Sequence, residues 1–405
     1  MNYPTRRPRQ QQRRTLTGVA TRAAVVYGTY KVASWAWKQW GPGAANNTKE
    51  EENIHNNAFT MDRNTSKRKY IRRRRYQLLK CYQETMNTVH AFMSTLKPTI
   101  ESKTDFSSQT KRLKQIRKSR KEEGIQDHHD DIIKSEQIVL WNDIKIKSLV
   151  RLFTSLYVHS VLYLLLTVQV NLLGGIIFRN NDSSNISLEA SRTEIDKDRV
   201  DEATHKDVLM RTFEHFFDIG IDKILDSLTT TIEKETRTWV AIQSDNRLGT
   251  VTKSEFMSLV DKIRDIEKSI SFVDLISSTE TQNSNADNLD SANDVHLVKR
   301  IIDETLDIVE SPVFEEAKHE CFDLSFETMR KSLHSNLFRD NSDSIHLVHL
   351  FGKLKSTTNI FYEQSQCNGE MELMWSENQV KFPNIYLSLL DKLDIVKELG
   401  DVSFN

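Results

Sequence analysis

Five adjacent residues, Asp127, His128, His129, Asp130 and Asp131, form the densest group of side chains able to ligate a metal. Imidazole and carboxylate ligands at that proximity suit a divalent cation. The run lies in a polar stretch with no apolar frame to fix its geometry, so it reads as solvent-exposed and without a fixed ion. Cys81, Cys321 and Cys367 are odd in number, far apart and without CxxC spacing. They indicate neither a zinc site nor a disulfide framework, and a reducing, cytosol-facing body is the simplest reading. Gly174-Gly175 has no following helix start with Lys or Ser/Thr, and neither GxGxxG nor a GxxxxGK motif occurs. No phosphate-cradling loop is expected; the glycines mark a close packing point or a helix end. Ser, His and Asp cannot be assembled into a triad from spacing alone. The sequence therefore predicts no catalytic constellation, no cofactor and no enzyme.

Charge is the next chemical resource. Residues 1–75 hold 17 Lys/Arg against 4 Asp/Glu, a net +13, while the whole chain sums to −1, so a basic arm precedes an acidic body. Arg72, Arg73, Arg74 and Arg75 close that arm. They could grip anionic lipid headgroups, at about 1 kcal/mol each near an anionic bilayer, form a solvated helix face, or bind nucleic acid. The acidic body and the lack of interleaved aromatics count against nucleic acid.

The elements that hold these residues are helical. Gly is 12 and Pro 6 of 405 residues, far below ordinary usage of roughly 7% and 5%, so turns are scarce and long helices follow. Residues 1–15, rich in Arg, Gln and Pro, read as a disordered basic tail. Residues 16–40 read as a membrane anchor, with Val25, Val26 and Tyr30 in its apolar part and Trp35 and Trp37 in an aromatic belt. Arg22 and Lys31 interrupt it on opposite helix faces, which leaves a span and a surface anchor equally explained. Residues 41–66 read as a linker.

From 67 onward the pattern predicts a helical body, with insertions near 101–131, 179–197 and 277–294. The first helix should end before Pro98. The basic run Lys111 to Lys121 is either a solvated helix or a loop. Leu152 to Phe178 contains no Asp, Glu, Lys or Arg; it is either lipid-embedded or the central helix of a bundle. The lipid-embedded option would make the chain a two-span protein of transport or channel type. His159 within it reads as a core histidine, and Gln169 and Asn171 as buried hydrogen-bonding groups fixing helix register. Thr252 with Glu255 forms a capping box, and Ser311-Pro312 an N-cap followed by the first helical position. Further helices are expected near 295–309, 344–363 and 384–399.

The segment Leu140 to Phe178, LWNDIKIKSLVRLFTSLYVHSVLYLLLTVQVNLLGGIIF, resembles the peroxin-3 family. Trp141 is followed by Asp143, and the long apolar helix closes in Gln169, Val170, Asn171, Leu172 and Leu173. DETLDIVESPVFEEAKHEC, with Glu304, Thr305, Glu310, Ser311, Pro312, Phe314 and Cys321, is a second matching block. The resemblance implies an all-α fold, an elongated twisted helical bundle around a long central apolar helix, preceded by an N-terminal membrane anchor. It implies a protein of the peroxisomal membrane with its bundle in the cytosol, with transit through the endoplasmic reticulum left open. It further implies a docking receptor for peroxin-19, whose N-terminal amphipathic helix would lie in a hydrophobic groove at the membrane-distal end. Autophagy or inheritance adaptors are further partners of this kind. Trp141 is the groove residue so implied, with Leu140 and Ile144 as neighbours whose role is groove contact or core packing. A fully buried Trp, at 150–250 Å² and roughly 25 cal/mol/Å², is worth at most about 4–6 kcal/mol before association costs.

Overall fold

A computed structural model of the chain describes residues 63–123, 130–186, 212–241, 249–276, 292–338, 343–362 and 394–404. The basic tail, the anchor with Val25, Val26, Tyr30, Trp35 and Trp37, and most of the linker lie outside these residues. So do Asp127, His128, His129 and Cys367.

Among the described residues the body is built from ten α-helices. They are α1 (Arg63–Lys103), α2 (Ser107–Glu123), α3 (Asp130–Ile186), α4 (Ile221–Glu235), α5 (Lys253–Arg264), α6 (Phe272–Ile276), α7 (Ala292–Val309), α8 (Pro312–Leu337), α9 (Leu347–Thr358) and α10 (Asp394–Phe404). A π-helical turn, Phe216–Gly220, leads into α4, and 3-10 turns follow α5 and α9. One feature departs from a purely helical expectation: β1 (Thr250–Thr252) and β2 (Ser344–His346) pair antiparallel, Val251 opposite Ile345.

Helix α3 is the axis. Its 57 residues span about 85 Å at 1.5 Å per residue, and α1, α2, α4, α7, α8, α9 and α10 all pack on it. Every residue from Leu152 to Ile176 is buried, which places the charge-free stretch in the protein core, with neighbouring helices on the surface that lipid would need. A helix apolar on every face can be satisfied this way only when surrounded. His159 lies fully buried there, its ring 5.9 Å from Phe361. Burial, and secondarily the nearby His90, pull its pKa down to about 3, so it stays neutral. Gln169 Nε2 donates to Thr212 Oγ1 at 3.0 Å and to Thr305 Oγ1 at 3.3 Å, tying α3 to α7 and to the segment before α4. Asn171 Nδ2 instead donates to Thr167 O of its own helix, so it fixes no register between helices through that bond.

Several boundaries move. Helix α1 begins at Arg63, inside the expected linker, and runs through Pro98 to Lys103. A mid-helix proline costs about 3 kcal/mol or more. Continuing the helix keeps Leu96, Thr99 and Ile100 buried, and Arg151 then holds the end of α1, donating to Thr104 O at 2.9 Å and Glu101 O at 3.3 Å. The run Lys111 to Lys121 is helix α2. Residues 179–186, expected as loop, continue α3 to Ile186, and α7 starts at Ala292, within the expected linker. The capping box stands as read, Glu255 N donating to Thr252 Oγ1 at 3.2 Å and Thr252 N to Glu255 Oε2 at 2.8 Å. Ser311 caps α8, accepting from Phe314 N.

Helices α1 and α3 run antiparallel, because Tyr70 meets Phe178 (ring centroids 5.4 Å) while Arg151 meets Thr104. The body therefore has two ends. At one, α10 closes on both helices: a Cβ on Gly175 would sit 1.9 Å from Phe404 O, and Tyr82 Oη donates to Lys397 O at 2.8 Å. Gly175 is a close packing point, not a helix end.

Candidate functional site

Trp141 lies at the other end, in the N-terminal turns of α3. Positions 141 and 178 are 37 residues apart, about 55 Å along a straight helix. The indole packs on the body through Phe351 of α9, ring centroids 6.3 Å apart, yet it remains half-buried rather than sealed. One turn on, Lys145 is buried on the neighbouring part of the same face. Its Nζ donates to Thr236 O at 2.7 Å and Trp239 O at 3.1 Å, just past the end of α4. A cation there meets the negative end of the α4 dipole and its unpaired carbonyls. Burial lowers the lysine's pKa to about 8. This lysine fastens α4 under the Trp141 region, with Trp239 in turn stacked on Phe256.

The three residues of the expected groove do not share one surface. Trp141 and Leu140 are half-buried, and Ile144, 4% exposed, belongs to the core. At about 100° per residue, Leu140 falls on the stripe Glu136, Asp143 and Lys147 that faces α2 and the turn before it. There Arg112 holds Glu136 through two bonds of 2.7 and 3.1 Å, and Lys147 Nζ donates to Asp105 O at 2.9 Å.

Three apolar residues not singled out by sequence lie in the open on these same turns: Ile132 (64% exposed), Ile138 (40%) and Val139 (62%). Ile138 is about 60° round the helix from Trp141, and Ile132 and Val139 lie almost in line, seven residues apart. The exposed arc of α3 thus has Trp141 along one margin and α2 along the other. Ile138 is the exposed aliphatic on the Trp141 side of the arc, while Val139 and Ile132 lie about 160–180° round the helix from Trp141, toward α2; an exposed aliphatic by an incompletely buried Trp is a candidate contact surface. Their signal in sequence was weak, since they directly precede the buried run and look like its continuation.

The Arg72 to Arg75 run is at the opposite end. Arg72, Arg73 and Arg75 are exposed and Arg74 is half-buried. The Arg73 guanidinium lies over Phe178 at 5.4 Å and that of Arg74 over Phe404 at 5.8 Å, with Asp401 3.9 Å from Arg74. Tyr70, Ile71 and Tyr76 are exposed among them. A shallow concavity of about 400 Å³ between α5 and α8 is lined by Lys253, Met257, Arg330, Lys331 and His334 and has no part of Trp141 in its wall. Among the described residues no group of three or more His, Cys, Asp or Glu is arranged to hold a metal.

Comparison with curated proteins finds no match. The family model for peroxin-3 matches residues 126–208. That span contains the exposed turns of α3, Trp141 and the whole buried stretch. The match makes this segment of the chain similar to the peroxin-3 family, over the part of the chain that forms α3.

Proposed function

We propose that the chain is a docking receptor for peroxin-19, taking an amphipathic helix of that chaperone on the surface around Trp141 while residues 16–40 hold the body to the peroxisomal membrane on its cytosolic side. The observation that carries this reading is the incompletely buried Trp141 indole, with exposed Ile138 about 60° round the helix from it. In a helix-in-groove complex a few apolar anchors supply most of the affinity. With most of the indole already buried, at most about 50–90 Å² remain to be covered. That is at most about 1–2 kcal/mol at 25 cal/mol/Å², below the ceiling for a fully buried Trp.

Arg72, Arg73 and Arg75 fit the other half of the reading. They lie at the end of the body that continues into the N-terminal segment, where anionic headgroups would meet them. The docking reading is tested by pulling down the full chain with an immobilised peroxin-19 N-terminal peptide. Wild type should be retained and Trp141→Ala largely lost. Equal retention of both removes Trp141 from the interface.

A further inference from the structure

The concavity between α5 and α8, about 400 Å³ and unused by the docking reading, is lined by four basic side chains, Lys253, Arg330, Lys331 and His334, around the thioether of Met257. Helix geometry gathers them. Lys253 and Met257 are one turn apart on α5, while Arg330, Lys331 and His334 share a stripe of α8 at spacings of three and four. Two of the cations already have carboxylates, Arg330 with Asp261 and Lys331 with Glu327. Lys253 does not. Among the described residues no carboxylate lies within ion-pair distance of it, and its Nζ instead donates to His334 Nε2 at 2.8 Å. A lysine ammonium has no lone pair, so the imidazole nitrogen accepts. Arg330 is also incompletely served, since Nη2 donates to Asp261 while Nε is buried without an acceptor. An unmet N–H on a charged group is costly.

We propose that this concavity is a second binding site, for a phosphate monoester carried on a side chain of a soluble protein. A phosphate brings nearly two charges and three acceptor oxygens to a wall with donors on both helices, where a carboxylate brings one charge and two oxygens. Clustered Arg and Lys are the usual recognition chemistry for that group. Met257 and the methylene stems of the lysines give the carrying side chain an apolar floor. Position separates the site from the two surfaces described above, because Trp141 is not in its wall. It lies toward the Trp141 end all the same: Phe256, next to Met257, stacks on Trp239, whose carbonyl receives Lys145. The end that carries Arg72–Arg75, where the docking reading puts the bilayer, is the opposite one. A protein ligand fits that location better than a lipid of the same bilayer.

The test titrates the full chain, carrying isotope-labelled histidine, with a short glycine- and alanine-rich peptide that holds one phosphoserine, and with the same peptide unphosphorylated. The nuclear magnetic resonance signal of His334 is identified by its loss in His334→Gln. The phosphopeptide should move that signal and bind at least about tenfold more tightly than the unphosphorylated form. Lys253→Gln should weaken it at least about fivefold, with helix content unchanged by circular dichroism. Lys262→Gln, exposed half a turn away on α5, and Trp141→Ala should leave it unchanged. If inorganic phosphate or sulfate binds as tightly as the phosphopeptide, the concavity takes an adventitious ion only and the proposal is overturned. Phosphoinositide vesicles that bind through Lys253 while the phosphopeptide does not would make the ligand a lipid, and overturn it too. So would a His334 signal that stays fixed, or phosphopeptide binding equal in wild type and Lys253→Gln.

Discussion

Gly175→Ala sets two physical effects against each other, and the structure decides the sign. Helix propensity alone would make alanine better than glycine by about 0.8–1.0 kcal/mol inside a helix. At this position the new methyl would stand 1.9 Å from the carbonyl oxygen of Phe404, far inside contact distance. Backbone must move, because the obstructing atom is not the end of a flexible side chain. Forcing a methyl into packed structure costs about 1–3 kcal/mol, and a backbone obstacle puts this site in the upper part of that range, about 2–3 kcal/mol, so the net change should be destabilising by about 1–2 kcal/mol. Full detachment of α10 would cost more, since Val396, Leu399 and Phe404 are each buried and a buried side chain of this size is worth about 1.5–3 kcal/mol. Gly352 of α9 provides the control: it is exposed, and a Cβ there meets nothing within 4 Å. Gly352→Ala should therefore stabilise by about 0.5–1 kcal/mol. Urea unfolding gives both values, and hydrogen exchange in 394–404 should rise only for Gly175→Ala. A stabilised Gly175→Ala would refute the close approach of α10 to α3.

Two further outcomes follow from buried and capping groups. Burial pushes the Glu84 carboxyl up to about 7, against weaker opposing hydrogen bonds from Asn87 and Thr88. The folded form then holds a proton that the unfolded form has released above roughly pH 4.3. Its stability contribution is complete below that pH and is lost as pH rises through about 7. Glu84→Gln should stabilise the protein by about 1–3 kcal/mol at pH 8 and leave it nearly unchanged at pH 4; equal effects at both values, read by urea unfolding, would contradict the burial argument. Thr252→Ala should cost about 1 kcal/mol by removing the cap of α5, with Thr252→Ser close to wild type, and a difference in thermal midpoint between the two checks it.

Local features proved readable and long-range ones did not. The capping box at Thr252 and the Ser311-Pro312 start of α8 depend on residues three positions apart, so the sequence carries them whole. The fate of Leu152 to Phe178 could not be settled by composition, because lipid and a surrounding bundle make the same demand on side chains; the family resemblance decided it, and the burial agrees. At Pro98 the local cost of proline argues for a helix end, while burial of Leu96, Thr99 and Ile100 in the core outweighs it. The β1–β2 pair joins three-residue strands nearly a hundred residues apart, with no local pattern to announce it.

At the site, Trp141 was legible only through the resemblance. Lys145 was hidden for a different reason. A lysine on a buried face looks misplaced until the carbonyls of Thr236 and Trp239 are seen to receive it. Ile138 and Val139 were hidden by their neighbours, since apolar residues beside a core helix read as core unless exposure is known.

The most direct measurement is the dissociation constant of the full chain for a peroxin-19 N-terminal peptide, compared among wild type, Trp141→Ala and Gly352→Ala by fluorescence anisotropy. The account predicts binding by wild type and Gly352→Ala alike, and a loss of about tenfold, about 1.4 kcal/mol, for Trp141→Ala measured well below its thermal midpoint, where the variant is folded by circular dichroism. Binding that is unaffected by Trp141→Ala, or no binding by the wild-type chain, would contradict it.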